Sequence, residues 1–371
     1  MSLARNIEFL QHLRNRMVRP EDFALRVGVA DSVNPLREVV DFGENPGNLR
    51  MFCFVPDGLP PSPAIVVVLH GCGQNAAIYD QGAGWSMLAR HYGFALLMPE
   101  QQSANNAHTC FNWFNSQDIQ RGSGEASSIR EMVRFLSDEI GADPRRVFVT
   151  GLSAGGAMTS VMLATYPDVF SAGAIIAGLP FGVATTVSDA LRAMSNPPSR
   201  PARALGDLVR RATRYRGPWP RVSVWHGSSD PTVNPSNADA VVKQWLNVHH
   251  LSEPPMAKTM MDGYPREVWW NADGETIVES YTVTGMAHGT PLGRGENDHA
   301  YGSEGPFLIE AGISSSYHIA KFFGLTGMMQ PVTEPVNGHQ APPPSETARS
   351  RAVDIATAVR RMLTGVGPTK S

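Results

Sequence analysis

Ser153 lies at the centre of the sequence GLSAG (151–155), which has the pattern G-x-S-x-G. The residues before it, RVFVT, are typical of a buried strand, and the residues after it, AMTSVMLATY, are typical of a helix. A serine at so tight a strand-to-helix turn needs glycine two residues away on either side, because larger side chains would collide there. This context is typical of a nucleophile elbow, in which a serine hydroxyl attacks a carbonyl carbon. The pattern alone is common, so an ordinary serine in a small-residue turn is the alternative.

A serine hydroxyl attacks efficiently only when a neighbouring imidazole accepts its proton and a carboxylate orients that imidazole. In serine enzymes built on a parallel sheet, the acid and then the histidine follow the serine, on loops after later strands. Asp230 comes after the strand-like RVSVW, and His288 comes after the strand-like ETIVESYTV. Their types, order and placement predict Ser153, Asp230 and His288 as a catalytic triad. Taken singly, Asp230 is equally explained as a turn residue before Pro231, and His288 as a hydrogen-bonded loop histidine.

The other histidines fit the role of general base less well. His70 and His226 each end a predicted strand, while His299 and His318 lie beyond the last predicted strand. Asp239 falls within a predicted helix, where a solvated carboxylate is the simpler interpretation.

An enzyme that transfers an acyl group also needs hydrogen-bond donors for the oxyanion of its tetrahedral intermediate. The backbone N–H of Ala154, directly after the serine, is one candidate. The other is the backbone N–H of Cys72, in the loop HGCGQ at the end of the apolar run AIVVVLH. Glycines on both sides of Cys72 allow this loop to turn inward, although a tight turn that needs glycine only for its backbone angles is the alternative.

Two further loops could contact a substrate. The sequence CFNWFN (110–115) places aromatic side chains near Asn105 and Asn106, as a platform for an acyl or aromatic group if they are exposed. From the residues alone, burial of these aromatic side chains in the core is the better interpretation. The glycine-rich loop 289–306 is predicted to rim the cleft, and its Glu296 and Asp298 are too sparse for a calcium site.

The elements that must position these residues follow a regular alternation. Five apolar runs have the texture of strands buried on both faces, at 64–70, 94–99, 146–151, 172–178 and 221–227. Helix-like stretches lie between them, so the sequence predicts a mainly parallel central sheet flanked by helices. Hairpins are predicted around GENPGN (43–48) and around Asn271–Gly274. The proline-rich residues at about 181–220 break the alternation and are predicted to form an inserted excursion.

Composition narrows the functional classes. The chain has 371 residues, of which 42% are hydrophobic, so it can bury a sizeable core. Its net charge of −3 provides no general attraction for nucleic acid. No run approaches the roughly 20 apolar residues of a membrane-spanning helix. The three cysteines do not have zinc-site spacing, and no phosphate-loop or dinucleotide motif occurs, so neither a metal nor a cofactor is expected.

Three segments flank or follow the predicted catalytic domain, which covers 35–328. Residues 1–34 are predicted to form a helical arm, and their interspersed charges do not fit a classical secretory signal, so the compartment stays open between cytoplasm and non-classical export. Residues 329–345 are predicted to be a proline-rich linker. Residues 346–371 are predicted to form an amphipathic helix that packs on its own chain or adheres to an apolar or anionic surface.

At these motifs the chain resembles the polyhydroxybutyrate-depolymerase family of esterases, which is close to the feruloyl and acetylxylan carbohydrate esterases. The resemblance spans about residues 36–325 and rests on LHGCGQNA, GFALLMPEQ, CFNWFN with QRGSGE, GLSAGGAM with YPDVFSAGA, WHGSSDPTVNPSNA and GMAHG. It implies an α/β-hydrolase fold and hydrolysis of carboxylic esters by Ser153, Asp230 and His288. It also implies Cys72 and Ala154 as oxyanion donors.

The same resemblance implies a role for Trp113 beside the acyl site. Gln74 and Asn112 lie in the matching stretches and are further candidates for substrate contact. In this family a disulfide can lie near the active site, so a bridge between Cys72 and Cys110 is a hypothesis.

The expected substrates are short-chain hydroxyalkanoate polyesters or their oligomers. Crystalline polymer is a less suitable substrate, because only the linker and the short tail helix stand where family members carry a C-terminal substrate-binding domain. The alternatives are a feruloyl or acetylxylan esterase and, from another class, a non-catalytic protein that binds granules or surfaces. One fold hosts many acyl specificities, so the sequence leaves these open, together with the oligomeric state.

Overall fold

The computed structural model describes residues 34–197, 199–293 and 300–327. The chain divides into two units, Met1–Gln330 and Pro331–Ser371, and the described residues all lie in the first. The predicted N-terminal arm, the proline-rich linker and the tail helix fall outside the described residues, apart from residue 34.

A large sheet forms the centre of the described part of the chain. Its strands are β1 (Arg37–Val39), β2 (Arg50–Phe54), β3 (Ile65–Leu69), β4 (Ala95–Glu100), β5 (Val147–Leu152), β6 (Ala172–Ile176), β7 (Arg221–Gly227), β8 (Ala257–Met261), β9 (Tyr264–Trp270) and β10 (Thr276–Val283). They lie in the order β1-β2-β4-β3-β5-β6-β7-β10-β9-β8. The six strands from β4 to β10 in that order run parallel, and an antiparallel pair closes each edge. Two short strands, β11 (Thr290–Leu292) and β12 (Leu308–Glu310), pair separately.

The helices of the described residues are α1 (Ala76–Ala83), α2 (Trp85–Tyr92), α3 (Gly124–Ile140), α4 (Ala154–Thr165), α5 (Val187–Ser195), α6 (Ala202–Ala212), α7 (Ser236–Val248) and α8 (Ser315–Phe322). They connect the parallel strands and cover both faces of the sheet, which confirms the predicted α/β-hydrolase fold. None of these helices is long and apolar enough to cross a membrane.

The central strands are apolar along their whole length because both of their faces are covered. Every residue of β3, β4, β5 and β6 is buried. Alternate side chains of β3 enter two separate clusters: Ile65, Val67 and Leu69 join one, while Val66 and Val68 join the other. This two-sided burial explains why the sequence shows continuous apolar runs rather than alternation.

The insertion predicted at about 181–220 lies between β6 and β7 and contains helices α5 and α6. Helix α6 packs on α7, and the buried Gln244 of α7 donates hydrogen bonds to the carbonyl oxygens of Phe181 and Leu205 at 3.0 Å each. The insertion is therefore anchored to the body of the fold by polar contacts as well as by packing.

Both predicted hairpins are present. Strands β1 and β2 pair across the GENPGN segment, and β9 and β10 pair across Asn271–Gly274. In the second turn, Asn271 Oδ1 accepts hydrogen bonds from the amides of Asp273 and Glu275, and Gly274 has a φ of 80°. The Asp-Gly sequence is suited to this turn because glycine adopts a positive φ without steric cost.

Candidate active site

Ser153 occupies the sharp turn between β5 and α4. Its φ is 57° and its ψ is −115°, a conformation that is strained for any residue with a side chain. Its amide donates a hydrogen bond to the carbonyl oxygen of Ile176 on the neighbouring strand β6, at 2.9 Å, which holds the turn in place. The strain and this support are those expected of a nucleophile elbow.

The glycines of the GLSAG motif are required by close backbone packing. A Cβ on Gly151 would lie 2.5 Å from the carbonyl carbon of Gly155. A Cβ on Gly155 would collide with the carbonyl oxygen of Leu69 and lie 2.6 Å from that of His70. The start of α4 is thus pressed against the end of β3, and this brings the turn at Ser153 next to the loop that begins at Gly71.

Asp230 and His288 come from loops after β7 and β10, which are adjacent parallel strands. Nδ1 of His288 lies 2.7 Å from Oδ2 of Asp230, and both side chains are buried. Because the carboxylate accepts the Nδ1 proton, Nε2 of His288 is left as the lone-pair nitrogen that can accept a proton from a nucleophile. The structure therefore brings together the acid and the base that the sequence predicts.

The carboxylate of Asp230 is held in its ionised form. Burial pushes its pKa upward, but hydrogen bonds from His226 and His288 outweigh burial and hold the pKa below its usual range. The amides of Thr232 and Val233 also donate to Oδ1, at 2.8 and 2.9 Å. Asp230 therefore stays an acceptor for the His288 proton throughout the neutral pH range.

His226 is a neighbour of Asp230 that the sequence did not identify. Its Nε2 lies 3.1 Å from Asp230 Oδ2, and the ring is almost fully buried. The only signal in the sequence was its position, four residues before Asp230 at the end of a predicted strand. Nitrogens of two imidazoles thus lie within 3.1 Å of one carboxylate oxygen.

The predicted oxyanion loop is fixed by contacts on both sides of Cys72. The amide of Gly71 donates to Oε1 of Gln74 at 2.9 Å, and the amide of Gly73 donates to the carbonyl oxygen of His108 at 2.8 Å. His70 donates from Nδ1 to the Gly71 carbonyl at 2.8 Å, and burial lowers the pKa of His70 to about 4. A neutral His70 is therefore part of the support for this loop, and Cys72 lines the same cleft as Ser153.

A disulfide joins Cys72 to Cys110, which confirms the hypothesised bridge. It ties the predicted oxyanion loop to the segment that carries the aromatic residues of CFNWFN. The third cysteine, Cys53, is free and buried in strand β2.

Ser153 and His288 line a cleft with a volume of about 270 Å³. Its lining residues are mostly apolar: Gly71, Cys72, Asn106, His108, Cys110, Trp113, Phe114, Leu152, Ser153, Val187, Ala190, Leu191, Met194, Thr232, His288 and Phe307. Helix α5 of the insertion supplies one wall through Val187, Leu191 and Met194, and Trp113 and Phe114 pack edge to face within the opposite loop. No lysine, arginine, aspartate or glutamate of the described residues lines this cleft.

The aromatic loop is partly core and partly cleft. Phe111 is fully buried, whereas Trp113 is 7% exposed and lines the cleft, as the resemblance implied. Gln74 and Asn112, the other two candidates for substrate contact, do not line it. Gln74 bonds to Gly71 and to the carbonyl oxygen of Pro306, so its side chain supports loops.

Asn112 binds instead to a buried carboxylate that the sequence analysis missed. Glu125, in the first turn of α3, accepts hydrogen bonds from the Asn112 amide at 2.8 Å, the Asn112 side chain at 2.6 Å and the Gln101 side chain at 2.5 Å. Burial raises the pKa of Glu125 to about 8, although these hydrogen bonds oppose the shift. Through these hydrogen bonds Glu125 holds the cleft loop in place. Its only signal in the sequence was its position in the QRGSGE stretch.

A strained serine at the end of a parallel strand, beside a paired histidine and aspartate, is characteristic of serine hydrolases with the α/β-hydrolase fold. Comparison with known proteins makes the class more specific. The family model for "Esterase PHB depolymerase" matches residues 54–263. The chain therefore belongs to this esterase family, and it is a carboxylic ester hydrolase.

Individual relatives include enzymes named for two kinds of substrate. The chain is 46% identical over 299 residues to poly(3-hydroxyalkanoate) depolymerase C of Paucimonas lemoignei, covering 80% of this chain and 72% of that protein. It is 35% identical over 265 residues to the acetylxylan esterase of Coprinopsis cinerea, covering 69% of each. Among solved structures, the acetyl xylan esterase from Aspergillus awamori matches with a TM-score of 0.63 and 28% identity, covering 68% of this chain and 93% of that one.

Proposed function

We propose that the protein hydrolyses short-chain hydroxyalkanoate polyesters or their oligomers through an acyl-enzyme on Ser153. The observation that carries the proposal is the pairing of His288 with Asp230, 2.7 Å apart, where His288 and Ser153 line a mainly apolar cleft that has no lysine, arginine, aspartate or glutamate from the described residues. The mechanism and the substrate class rest on different features of this cleft.

In the first step, Ser153 Oγ attacks the ester carbonyl carbon while Nε2 of His288 accepts the hydroxyl proton. The carbon–oxygen bond to the alcohol then breaks, and His288 returns the proton to the departing alkoxide. The ion pair between protonated His288 and Asp230 stabilises this intermediate stage. The products are an ester of Ser153 and a free alcohol.

In the second step, His288 removes a proton from water, and the resulting hydroxide attacks the acyl carbon. Collapse of the second tetrahedral intermediate breaks the bond to Ser153 Oγ, which takes its proton back from His288. The carboxylic acid leaves, and the enzyme is restored.

The amides of Cys72 and Ala154 are the proposed donors to the oxyanion in both steps. Ala154 is the first residue of α4, so the partial positive charge at the helix N-terminus adds to its effect. The disulfide and the Gly73–His108 bond support the position of Cys72. Donors held rigidly in advance stabilise the transition state without reorganisation cost.

The polyester assignment draws support from the chemistry of the cleft. A hydroxyalkanoate chain is neutral, and its short alkyl side chains suit walls made by Trp113, Leu191 and Met194. The 46% identity to an enzyme named as a poly(3-hydroxyalkanoate) depolymerase points the same way.

The alternative is an esterase of acetylated or feruloylated plant polysaccharides. It is favoured by the similarity to acetylxylan esterases in sequence and in structure. Asn106, His108 and Thr232 also line the cleft and could hydrogen-bond to sugar hydroxyls. Membership of an esterase family and the pairing of His288 with Asp230 argue against a non-catalytic role.

Initial rates on a soluble 3-hydroxybutyrate trimer, methyl ferulate and acetylated xylo-oligosaccharides, at equal concentrations, test the assignment. We expect the trimer to be the best substrate. Ser153→Ala should abolish turnover, and Ser127→Ala, a helix α3 substitution outside the cleft, should not. A preference for the ferulate or the xylan ester would replace the polyester assignment, and activity retained by Ser153→Ala would refute the mechanism.

A further inference from the structure

We propose that His226 is a positioning residue that donates a second imidazole hydrogen bond to Asp230 and thereby sets the pH range in which His288 works as a base. The proposal rests on the proposed triad of Ser153, His288 and Asp230. It concerns a residue that takes no proton from the substrate and acts only through the carboxylate.

The surroundings of His226 determine which ring nitrogen carries its proton. Nε2 lies 3.1 Å from Oδ2 of the ionised Asp230 and 3.0 Å from the carbonyl oxygen of Val233. Both neighbours are only acceptors, so Nε2 must be the protonated nitrogen. His226 therefore presents an N–H to both oxygens: it hydrogen-bonds to the Val233 carbonyl and lies 3.1 Å from the carboxylate of Asp230.

The opposite side of the ring offers no acceptor for a second proton among the described residues. Nδ1 of His226 is buried and has no hydrogen-bond partner among the described residues. A second proton at Nδ1 would place an unpaired N–H and a positive charge in a side chain that is 3% exposed, which is costly. A neutral, Nε2-protonated imidazole satisfies the site without that cost.

His226 and His288 compete for the same oxygen. Oδ2 of Asp230 accepts from Nδ1 of His288 and lies 3.1 Å from Nε2 of His226, while Oδ1 accepts from the amides of Thr232 and Val233. Four N–H groups thus face a single negative charge, and each interacts with it less strongly than it would alone. The positive charge that develops on His288 during catalysis is therefore stabilised less strongly than by a carboxylate without His226.

This sharing has a functional consequence. If the imidazolium form of His288 were stabilised more strongly, His288 would be charged, and unable to accept the serine proton, up to a higher pH. By drawing on the same carboxylate oxygen, His226 keeps the base available at lower pH. The rigid position of His226 on strand β7 also fixes the direction of the carboxylate.

Among the described residues, Asp230 is faced by His226 and His288, and the carboxylate of Asp239 on helix α7 interacts electrostatically with His226, Lys243 and Glu267. Asp239 and Lys243 are unchanged in the variants below, so their contribution to a pH profile is the same in each.

Two substitutions of similar size distinguish the effect of losing the N–H donor from the effect of losing the volume of the ring. In His226→Gln, the side-chain amide nitrogen reaches about the same point as the imidazole Nε2 and can donate to Asp230. In His226→Met, a side chain of similar length fills the space with no donor. Folding of each variant is checked by thermal unfolding, and an intact Ser153 site by labelling with a fluorophosphonate.

We expect His226→Met to lower kcat/KM by about 10- to 100-fold, because the carboxylate of Asp230 loses a contact that fixes its direction towards His288, and this loss outweighs the stronger pairing with the imidazolium. We also expect the acid limb of its pH profile to move up by about half to one pH unit. His226→Gln should stay within about threefold of the parent rate, with the acid limb unmoved. A role in packing alone would not shift the acid limb, nor distinguish the two variants in this way.

The proposal is overturned if the Met and Gln variants have equal rates and equal acid limbs, whether both are active or both are impaired. Should the Met variant not fold, His226→Asn replaces it, because the shorter amide does not reach Asp230; equality of Asn and Gln then has the same meaning. Failure of the proposed mechanism is recognised separately, since Ser153→Ala would then keep both turnover and fluorophosphonate labelling.

Discussion

Gly155 packs closely against the carbonyl oxygen of His70: a Cβ at position 155 would be only 2.6 Å from that oxygen. This contact brings the beginning of helix α4 and the end of strand β3 together. The two proposed oxyanion donors, Ala154 and Cys72, belong to these two segments. Their separation therefore depends on a glycine that carries no functional group.

Gly155→Ala tests this dependence. The new methyl group must push the two backbones apart, so we expect a loss of stability of about 1–3 kcal/mol and a fall in kcat/KM of at least tenfold. Gly327→Ala is the control, because a Cβ there meets nothing within 4 Å. Urea unfolding and initial rates provide the measurements, and equal behaviour of the two variants would contradict the close-packing argument.

Asp230→Asn tests the role of the carboxylate. The amide keeps the shape of the side chain but cannot hold the proton of His288 on Nδ1 as the carboxylate does. We expect kcat to fall by about 10³- to 10⁴-fold, with folding retained. Asp57→Asn, at an exposed turn, should leave the rate unchanged. A loss of less than tenfold for Asp230→Asn would exclude Asp230 as the orienting acid.

The disulfide between Cys72 and Cys110 predicts a thiol count and a stability difference. Denatured, unreduced protein should titrate with one thiol, from Cys53, and reduced protein with three. The bridge links residues 38 apart, so removing it by Cys72→Ser with Cys110→Ser should lower the free energy of unfolding by about 4 kcal/mol. It should also lower kcat/KM, because the Cys72 amide loses its support. Cys53→Ala, which leaves the bridge intact, is the control for a missing thiol.

Glu125→Ala tests the buried support of the cleft loop. Three hydrogen bonds from Asn112 and Gln101 are lost, and we expect a destabilisation of about 2–4 kcal/mol and an increased KM. Glu131→Ala is the matched control on the same helix, where its partly exposed ion pairs with Arg130 and Arg134 contribute about 1 kcal/mol or less.

The effect of Glu125→Ala should also depend on pH. Burial raises the pKa of Glu125 to about 8 in the folded protein, above the value of about 4.3 for an unfolded chain. The folded state then binds the proton more tightly, so the contribution of Glu125 to stability is full below about pH 4 and is lost as pH rises towards 8. The difference in unfolding free energy between parent and Ala variant should therefore be smaller at pH 8 than at pH 5. A larger difference at pH 8 would show that the three hydrogen bonds, rather than burial, control the titration of Glu125.

Several elements were predictable from sequence because their signals are local. The continuous apolar runs identify β3 to β7, since strands covered on both faces carry no alternation. The Asp-Gly turn identifies the β9–β10 hairpin, and the glycines around Ser153 identify the strand-to-helix elbow. Even the insertion at 181–220 is visible as a break in the alternation.

The candidate site was predictable in part. The order of Ser153, Asp230 and His288 along the chain allowed them to be chosen, because topology places the carboxyl ends of parallel strands at one edge. Gln74 and Asn112 were chosen from their place in matching stretches, but their side chains turn to Gly71 and Glu125 rather than to the cleft. Side-chain direction in an irregular loop depends on partners elsewhere in the chain and leaves no periodic pattern.

The sequence by itself therefore determined the order of strands and helices, the elbow at Ser153 and the residues that could form its triad, because each depends on neighbours within a few positions. Only the tertiary structure decided that Nε2 of His226 lies 3.1 Å from the same Asp230 oxygen that pairs with His288, a residue 58 positions away from Asp230. Only it decided, too, that Glu125 holds the cleft loop and that helix α5 forms a cleft wall. These relationships depend on contacts of about 3 Å between segments distant in the chain, and packing sets those distances.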